Sequence, residues 1–544
     1  MRTVVIGGVA GGMSAAARLR RLDHDAEIVV IERSGYVSYA NCGLPYYVGG
    51  VIEEHESLLL QTPASLNERF RIDVRVSSEV TSIDRERRVV HVRDLATAQD
   101  YELAYDFVVL SPGATPVIPP IPGIERALAL RTVEDVETMT EAVKALPDHA
   151  VVIGGGFIGV EIAENLVHRG VPTALIEATP QVLAPLDPEM AHLVADELRH
   201  HGVALHLNDA VARITASTVE LASGETLEAN LVIVAIGVRP DTALARSAGL
   251  VIGALGGIEV DEFNRTSDPT IYAIGDAAEK TDALDGRASL VPLANIANRH
   301  GRVVADHIAG RRVRPVATIG TAIVKVFDLT IATTGWNEKR LVATGRQFLA
   351  VHTHPASHAG YYPGAQKIAL KLLVDPETGD ILGAQGVGTE GVDKRIDVIA
   401  TAMRGGLTAP ELADLELAYA PPFSSAKDPV NMLGYVAENL LTGLVDSVQW
   451  HEIVEHAGQG YLLVDVRTPR EFARGSVPGA INVPVDELRG RLDELDQKDV
   501  VVICQVGQRG HVATRLLRDS GFNAKNLSGG YQTWHKSPAA HLVA

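Results

Sequence analysis

The sequence predicts an α/β protein of several domains, on three observations. A strand followed by a glycine-rich turn, a helix and a second strand occurs at 3–32 and again at 150–177. Segments of β type alternate with helices over 318–440, and the character of the chain changes again after Leu441. Because 544 residues exceed what one core holds, we expect roughly three or four domains, two of them Rossmann-like.

The first glycine-rich turn follows the strand-like run Val4–Ile6 and leads into a predicted helix, 14–22. It consists of Gly7, Gly8, Val9, Ala10, Gly11 and Gly12. Glycines let a pyrophosphate approach the helix N-terminus, whose dipole favours the phosphate charge. Glu32, 25 residues after Gly7, is placed to bind ribose hydroxyls. Since Val9 replaces the middle glycine of G-x-G-x-x-G, a turn without a ligand stays an alternative.

The second turn is a strict G-x-G-x-x-G, Gly154 to Gly159, followed by a predicted helix at 160–169. Glu177, 23 residues after Gly154, is expected to bind a free 2′-hydroxyl and to repel a 2′-phosphate. The next four residues, 178–181, include no Arg or Lys. The sequence therefore predicts NADH rather than NADPH as the cofactor of this unit.

Cys42 is one of only two cysteines, and it lies in a polar stretch just after the first unit. Gly43 and Pro45 indicate a helix start directly after it, and a helix N-terminus or a nearby cation lowers the pKa of a thiol. Arg18 and Arg21, on the preceding helix, are candidates for that cation. We predict a reactive thiol; the alternative is a small buried apolar residue.

The net charge of −19 disfavours nucleic acid as the main partner. The strand-like run Val4–Ile6 follows Met1 so closely that we expect no signal peptide. No apolar run reaches the roughly 18 residues that a membrane-spanning helix needs. We therefore expect a cytoplasmic protein without membrane contacts, whose two cysteines are reduced.

Three short motifs connect the two units: Leu110–Ala114, Ala235–Pro240 and Thr270–Asp276. In this order they resemble those of the flavin-dependent pyridine nucleotide-disulfide reductases. The resemblance implies FAD in the first unit and NAD(P)H in the second. The implied FAD contacts are Gly7, Gly8, Val9, Ala10, Gly11, Gly12, Glu32, Arg33, Gly113, Asp276 (to the ribityl chain), Pro292, Leu293 and Ala294. The NADH contacts are Gly154, Gly156, Phe157, Ile158, Gly159, Glu177 and Gly237.

A single cysteine in this region excludes dithiol exchange, so Cys42 can form only a mixed disulfide, a persulfide or a sulfenic acid. The resemblance narrows accordingly to coenzyme A disulfide reductases, NADH oxidases and peroxidases. The match to coenzyme A disulfide reductases is carried by Ser38–Pro45, His358–Gly364, Asp393–Asp397 and Ala418–Asp428.

This resemblance implies a CoA site and a homodimer. The implied CoA contacts are Ser14, Arg18, Arg21, Ser38, Asn41, Asn298 and Lys427, together with Arg71 in place of a basic contact that falls at Phe70. Tyr361 and Tyr419 are implied to reach Cys42 of the other subunit, where a phenol can protonate a departing thiolate. The alternatives are a solvated helix face for the arginines and interface packing for the tyrosines.

The last region is similar to rhodanese domains, on the motifs Val464–Arg467, Gly479–Pro484 and Val500–Gly510. Cys504 ends a predicted strand, and the loop after it consists of Gln505, Val506, Gly507, Gln508, Arg509 and Gly510. Backbone N–H groups of such a loop can stabilise a thiolate or persulfide, with Arg509 as a positive edge. An inactive rhodanese-like binding module is the alternative.

The predicted layout is therefore an FAD-binding domain over 1–115 and 240–317, an NADH-binding domain over 116–239 and an α+β dimerisation domain over 318–440. A linker, 441–452, leads to an α/β rhodanese domain, 453–544. Such fusions resemble NADH-dependent persulfide and polysulfide reductases. We expect Cys504 to pass sulfane sulfur to CoA and Cys42 to attack the outer sulfur of the resulting persulfide. FAD reduced by NADH is then expected to cleave the Cys42 persulfide and release hydrosulfide, with Tyr361 or Tyr419 assisting.

Three alternatives remain: a coenzyme A disulfide reductase, an NADH oxidase or peroxidase acting through a Cys42 sulfenic acid, and a redox-sensing flavoprotein whose rhodanese module only docks partners. The spacing of His352, His354 and His358 suggests a metal cluster, but nothing else supports one. We expect no metal and assign these histidines to loops or to the CoA pocket.

Overall fold

The computed structural model describes residues 1–315 and 317–542, which form two compact units. The first unit comprises Met1–Pro180 and Gly202–Gly320, and the second comprises Gln181–His201 and Thr321–Ala544. Parallel sheets flanked by helices confirm the predicted α/β class. In the described ranges, every helix is too short or too polar to cross a bilayer.

The first sheet of the first unit is five-stranded and parallel. Its strands lie in the order Ile271–Ala273, Phe107–Leu110, Arg2–Ile6, Glu27–Ile31 and Asp73–Arg75. Four of these strands are buried on both faces, as their continuous apolar runs predict, and the edge strand Asp73–Arg75 is half-buried. The helices Ala10–Leu22 and Ala294–Ile308 pack against each other. The first of them begins at Ala10 rather than at the predicted residue 14.

The early start of that helix has a steric reason. A Cβ atom on Gly12 would lie 1.9 Å from the carbonyl oxygen of Gly7, so the helix can pack this tightly on the turn only with glycine. Gly7 itself has a φ of +102°, which an L-residue with a side chain rarely adopts. The pattern of glycines in this turn is therefore a packing requirement, independently of any ligand.

The second parallel sheet of this unit repeats the arrangement. Its strands lie in the order Ala204–Leu207, Thr173–Glu177, Ala150–Ile153, Leu231–Val234 and Leu128–Ala129. The helices Val133–Lys144 and Phe157–His168 belong to it, the latter starting three residues before the predicted position. The antiparallel pair Ala114–Pro116 and Val238–Pro240 corresponds to two of the connecting motifs.

The remaining elements of the first unit are small. Two three-stranded antiparallel sheets are formed by Ser78–Asp84, Val89–Asp94 and Asp100–Ala104, and by Val211–Ile214, Thr218–Leu221 and Thr226–Glu228. Lys280–Thr281 pairs with Ala288–Ser289. The short helices and 3₁₀ turns are Asn41–Gly43, Leu44–Val48, His55–Leu58, Pro63–Phe70, Ile124–Arg126, Ala243–Ser247 and Gly275–Ala277.

The second unit contains an antiparallel sheet and a parallel sheet. The antiparallel strands lie in the order Ala322–Val326, Leu329–Gly335, Ile381–Gly388, Ile368–Val374 and Leu349–Thr353. The helices with them are Pro188–His200, Glu338–Thr344, Val392–Gly405, Pro429–Leu441 and the 3₁₀ turn Pro410–Asp414. The apolar faces of Val392–Gly405, Pro410–Asp414 and Pro429–Leu441 form one core with the sheet, in agreement with the α+β region expected after residue 318.

The parallel sheet of the second unit follows residue 445. Its strands lie in the order Asp446–Val448, Asn523–Leu527, Asp499–Ile503, Leu462–Asp465 and Ile481–Asn482. The helices are Ile453–Gly458, Pro469–Phe472, Val485–Leu488, Leu492–Glu494 (3₁₀), Gln508–Asp519, Gly530–His535 and Pro538–Leu542. The first strand thus begins inside the segment predicted as a linker, 441–452; the predicted domain bounds otherwise remain predictions.

Candidate active site

Both glycine-rich turns present the N-terminus of a helix together with one carboxylate. Glu32 Oε2 accepts a hydrogen bond from the Gly8 backbone N–H at 2.7 Å, and Glu177 Oε2 accepts one from the Gly155 N–H at the same distance. The other oxygen of Glu177 accepts from the Thr179 N–H at 2.8 Å. These bonds fix both carboxylates beside their turns, where the sequence places the ribose hydroxyls.

The space above the second turn is open. A Cβ atom on Gly156 would meet none of the described atoms within 4 Å, and Gly156 has no side chain to cap the helix Phe157–His168. Gly237, with a φ of +123°, is similarly unobstructed within the described atoms. The first N–H groups of this helix are therefore available to an anion such as a pyrophosphate.

The first turn offers the same features to a second dinucleotide. The helix Ala10–Leu22 begins after Val9, which has no polar side chain to cap it, and the helix Ala294–Ile308 begins after Leu293, which has none either. Burial raises the pKa of Glu32 although three backbone N–H groups and the charge of Arg33 oppose this. Arg33 is an exposed residue whose guanidinium is 3.8 Å from Glu79. These residues fit the FAD contacts implied by the resemblance.

Asp276 lies in the 3₁₀ turn Gly275–Ala277, and a buried lysine holds this turn. Lys280 Nζ donates to the carbonyl oxygens of Gly275 at 2.7 Å and of Ala278 at 2.8 Å. Burial lowers the pKa of Lys280 to about 8. Sequence reasoning missed this residue, because its role depends on where its ammonium group folds back.

Arg131 is a second residue that sequence reasoning missed. Its Nη2 is 3.5 Å from Asp276 Oδ2, and a Cβ atom on Gly113 would lie 2.6 Å from the same Nη2. With the Asn41 amide turned to satisfy its partners, Nδ2 donates to the Arg131 carbonyl at 2.8 Å and Oδ1 accepts from Arg131 Nη1 at 3.1 Å. Through these contacts, Arg131 links the segment that carries Cys42 to Gly113 and Asp276, two of the predicted flavin contacts.

Cys42 lies in the 3₁₀ turn Asn41–Gly43, and the helix Leu44–Val48 follows, as predicted. Its side chain reaches solvent, yet the surrounding protein raises the pKa of the thiol, and the charge of Glu161 raises it further. Arg131 opposes this shift, and Asp276 adds to it. The expectation that the chain's own groups lower the pKa of Cys42 is therefore wrong.

Arg18 and Arg21 are not the cations that act on Cys42. Arg18 pairs with Asp306, with Nη2 at 2.7 Å from Oδ1, and Arg21 is exposed. The compensating cation is Arg131 instead. Sequence spacing could not distinguish these arginines, because the helix face that each one occupies depends on packing.

Several residues of the implied CoA site lie on the helix pair Ala10–Leu22 and Ala294–Ile308. Ser14 Oγ donates to Asn298 Oδ1 at 2.7 Å, which brings two of them together. Ser38 has a φ of +51° and donates its N–H to the Gly8 carbonyl at 2.8 Å. Arg71 ends a helix, with Nη1 3.4 Å from His24 Nε2.

The tyrosines and the lysine of the implied site belong to the second unit. The Tyr361 and Tyr419 hydroxyls are 2.8 Å apart, and 76% of the Tyr361 side chain is exposed. Their hydrogen bond raises the pKa of Tyr361. Lys427 Nζ lies 5.9 Å from the centre of the Tyr435 ring. Two adjacent exposed phenols fit a role at a subunit interface.

Cys504 occupies the loop predicted for it. Its Sγ accepts a hydrogen bond from the Gly507 N–H at 3.1 Å, and the residue is only 1% exposed. Asn526 Nδ2 donates to the Gly507 carbonyl at 3.0 Å and so ties the loop to the sheet. A Cβ atom on Gly510 would lie 2.1 Å from Asn526 Oδ1, so the loop requires glycine there. Gln505 and Arg509 also have side-chain partners in the same unit.

His352 is a strand residue and not a loop residue, which corrects the expectation for it, whereas His354 and His358 lie outside helices and strands, as expected. His352 lies in the strand Leu349–Thr353, with Nε2 at 2.9 Å from Glu189 and Nδ1 at 3.2 Å from Ser528. His354 Nε2 is 2.7 Å from Thr533 Oγ1, and burial lowers its pKa to about 3. His358 is buried, with Nδ1 3.2 Å from the Ala359 carbonyl.

Among the described residues, a cluster of three carboxylates, Asp187, Glu189 and Glu338, has the spacing of a metal site. The ammonium group of Lys371 lies within 2.9 Å of all three. Because a buried cation already neutralises this cluster, it is a structural ion-pair network.

Comparison with known proteins agrees with this architecture. The family model of pyridine nucleotide-disulphide oxidoreductases matches residues 1–301, and the model of their dimerisation domain matches residues 321–429. The rhodanese-like domain model matches residues 450–537. The chain is 36% identical over 443 residues to a coenzyme A disulfide reductase of Staphylococcus aureus strain JH9, which covers 80% of this chain and all of that protein.

Two solved structures match almost the whole chain. Reduced CoADR-RHD from Bacillus anthracis is 48% identical, with a TM-score of 0.97 and 98% of both chains covered. An NAD-dependent persulfide reductase from A. fulgidus is 41% identical, with a TM-score of 0.93, and the match covers 98% of this chain and 100% of that one. These findings confirm the resemblance inferred from the motifs. The chain therefore belongs to the pyridine nucleotide-disulphide oxidoreductase family and is an oxidoreductase acting on sulfur groups, with a rhodanese-like domain after its dimerisation domain.

Proposed function

We propose that this protein is an FAD-dependent reductase that uses NADH to reduce persulfides and polysulfides, above all CoA persulfide, to hydrosulfide at Cys42. One observation carries the proposal. The charges that act on the Cys42 thiol come from Glu161, on the helix after the second glycine-rich turn, and from Asp276, the implied flavin contact. Cys42 thus lies where the two implied dinucleotide sites converge.

The first glycine-rich turn, Glu32 and Asp276 would hold FAD, and the second turn with Glu177 would hold NADH. When bound, FAD supplies the transfer of two electrons from NADH to sulfur. Glu177 supports NADH because its carboxylate is already fixed beside the turn by two backbone N–H groups. A 2′-phosphate would meet that charge and be repelled.

The sulfur chemistry uses both cysteines. The Cys42 thiolate attacks the outer sulfur of CoA persulfide, CoA leaves as a thiolate, and a Cys42 persulfide forms. Two electrons then cleave the new S–S bond, which releases hydrosulfide and restores the Cys42 thiolate. Overall, NADH and CoA persulfide give NAD⁺, CoA and hydrosulfide. Cys504 would supply CoA with sulfane sulfur held in its backbone cradle.

The leaving CoA thiolate needs a proton, and the exposed Tyr361 and Tyr419 pair of a partner subunit would donate it. This role requires a homodimer, which the match to the dimerisation domain supports. Ser14, Asn298, Arg18, Arg21 and Lys427 would bind the CoA moiety. A cytoplasmic location remains a prediction from the sequence.

A coenzyme A disulfide reductase is the second candidate, because the relative from S. aureus with that activity matches over its whole length. Anaerobic stopped-flow mixing of the NADH-reduced enzyme with CoA persulfide or with CoA disulfide separates the two, since only the preferred substrate reoxidises the enzyme quickly. Peroxide and air serve as further oxidants, and fast reoxidation by either would favour the oxidase or peroxidase alternative.

Substitutions of the two cysteines provide the decisive comparison. We expect Cys42→Ser to abolish sulfide release from CoA persulfide, whereas Cys504→Ser should retain it and lose transfer from other sulfur donors to CoA. Sulfide release by Cys42→Ser at the wild-type rate would disprove the nucleophile. A Cys504→Ser variant with unchanged sulfur transfer would favour a docking role for the rhodanese-like domain.

A further inference from the structure

The arginine in the Cys504 loop is fully engaged by a carboxylate. Arg509 Nη1 donates to Glu471 Oε2 at 2.8 Å, and Arg509 Nη2 donates to Glu471 Oε1 at 2.6 Å. Glu471 is held in turn by Thr468, whose backbone N–H and hydroxyl donate to Oε2 at 3.0 and 2.8 Å. The positive edge expected of Arg509 is therefore neutralised by a fixed partner.

The second arginine beside the loop is also paired. Arg467 Nη2 donates to Asp465 Oδ2 at 2.7 Å and to the Gly475 carbonyl at 2.6 Å. Its Nη1 donates to Gln505 Oε1 at 3.1 Å, and its guanidinium stacks 4.1 Å from the centre of the Tyr531 ring. Only 2% of Arg467 is exposed, so it cannot swing towards a ligand.

Among the other basic groups of the helix Gln508–Asp519, Arg515 and Arg518 pair with Asp519 and Asp446, and His511 is neutral near pH 7. Burial lowers the pKa of His511, and the charge of Arg515 lowers it further. Glu471, by contrast, is held ionised, because the hydrogen bonds from Arg509 lower its pKa to about 2. The two arginines and two carboxylates beside the loop cancel, and the donor that faces Cys504 Sγ is the uncharged Gly507 N–H.

Because these charges cancel, the Cys504 site discriminates between sulfur donors by the charge of the donor. Thiosulfate carries two negative charges and a sulfonate group, which needs an unpaired guanidinium or ammonium for binding. The electrophilic form of a thiol persulfide is the protonated R–S–SH, which presents an uncharged outer sulfur to the thiolate. The Cys504 site therefore suits thiol persulfides, because their outer sulfur needs no positive counter-charge.

We propose that Glu471 determines donor specificity at Cys504: by engaging Arg509 it restricts the site to thiol persulfides and excludes thiosulfate. This inference rests on the proposed function of Cys504 as a carrier of sulfane sulfur. With a persulfide, the Cys504 thiolate attacks the outer sulfur, the S–S bond of the donor breaks, RS⁻ leaves, and a Cys504 persulfide, Cys504–S–SH, remains. With thiosulfate, the same attack would release sulfite and leave the same persulfide.

The test uses the full-length protein without NADH, so that the reductase half is silent. Cyanide removes the outer sulfur of the Cys504 persulfide as thiocyanate and restores the thiolate, and thiocyanate is measured with glutathione persulfide or thiosulfate as the donor. We expect wild type to use glutathione persulfide and to be nearly inactive with thiosulfate. Glu471→Gln frees Arg509 and should raise the ratio of thiosulfate to persulfide transfer about tenfold or more.

Two further variants make this result specific. The double variant Glu471→Gln with Arg509→Gln should lose the gain, because the freed cation is gone. Glu494→Gln, which removes a carboxylate from the ion pair with Arg491 in the same domain, should leave the ratio unchanged. If Glu471→Gln folds poorly, Glu471→Asp replaces it, since a side chain shorter by one methylene withdraws the carboxylate from both guanidinium nitrogens.

The possible outcomes distinguish the donor specificity assigned to Glu471 from the sulfur-carrier function of Cys504. Efficient use of thiosulfate by wild type, or an unchanged ratio in Glu471→Gln and Glu471→Asp, would overturn the inference and leave the sulfur-carrier function intact. Transfer from neither donor, with Cys504→Ser indistinguishable from wild type, would remove the carrier function itself and the inference with it.

Discussion

The Tyr361 hydroxyl lies 2.8 Å from the Tyr419 hydroxyl, although 58 residues separate the two in the chain. The hydrogen bond raises the pKa of Tyr361, so Tyr361 stays protonated at neutral pH. Two phenols that share one hydrogen bond can act as one proton donor, in which either hydroxyl replaces the other.

This pairing predicts a non-additive effect on catalysis. Tyr361→Phe or Tyr419→Phe should lower kcat with CoA persulfide modestly, because one hydroxyl remains, whereas the double variant should lower it about 100-fold or more. Steady-state NADH oxidation under anaerobic conditions measures the effect. Tyr362→Phe is the control, since Tyr362 is exposed next to the pair. A double variant no worse than either single one would contradict the shared role.

Glu161 should control the pH dependence of Cys42. Tyr46 donates to Glu161 at 3.2 Å, and burial, with the Glu164 charge, raises the pKa of Glu161 to about 7. Above that pH the ionised Glu161 opposes the Cys42 thiolate, along with Asp276 and against Arg131. Glu161→Gln should therefore lower the pKa of Cys42, most visibly above pH 7.

The rate of iodoacetamide alkylation of Cys42 against pH measures this shift. The matched control is Glu141→Gln, an exposed residue that pairs with Lys144. The raised pKa of Glu161 also means that its contribution to stability is complete below its unfolded pKa of 4.5 and declines as pH rises through about 7. Glu161→Gln should therefore lose less stability than wild type between pH 5 and 8. Identical alkylation profiles of Glu161→Gln and wild type would refute the effect of Glu161 on the pKa of Cys42.

Lys280 should determine how tightly FAD is retained. Its ammonium closes the turn that carries Asp276, and Lys280→Met leaves the Gly275 and Ala278 carbonyls without that donor. We expect FAD affinity to fall roughly tenfold, about 1.4 kcal/mol, because only part of the free energy of these two hydrogen bonds is transmitted through the turn to the flavin. Flavin released during ultrafiltration provides the measurement, independent of activity. Lys325→Met, at an exposed strand position, should retain flavin like wild type.

Lys371 should be required for the stability of the second unit. Although burial alone lowers the pKa of Lys371, Glu189, Asp187 and Glu338 outweigh it and raise the pKa. Lys371→Met leaves buried carboxylates without their cation, and we expect a loss of roughly 3–5 kcal/mol. The midpoint of urea unfolding reports it, and Lys367→Met, an exposed neighbour, is the control. A change below about 1 kcal/mol would show that the network relaxes.

Glu177 should determine the choice of nicotinamide cofactor. Glu177→Gln removes the charge that opposes a 2′-phosphate, so the preference for NADH over NADPH should fall about tenfold or more. The ratio of kcat/KM for the two cofactors, measured with CoA persulfide, tests this. An NADPH preference in wild type would overturn the assignment itself.

The sequence alone determined the order of the elements and the location of both nucleotide-binding turns. Its local signals suffice there: Gly7 and Gly154 must adopt positive φ, and Glu32 and Glu177 end strands whose length places them beside those turns. Cys42 and Cys504 were also evident, because two cysteines in a chain of this length are conspicuous. Local conformation and strand length depend on neighbours in the chain, which a sequence displays directly.

The tertiary structure determined which charged groups lie close to one another. Arg131 rather than Arg18 faces Cys42, Glu471 neutralises Arg509, and Lys371 occupies the cluster that spacing would assign to a metal. The same is true of His352, which contacts Glu189 instead of lining a pocket. Electrostatic effects depend on distances of a few ångströms between groups far apart in the chain. These distances are set by packing, and so the reactivity of each cysteine could not be predicted from its sequence context.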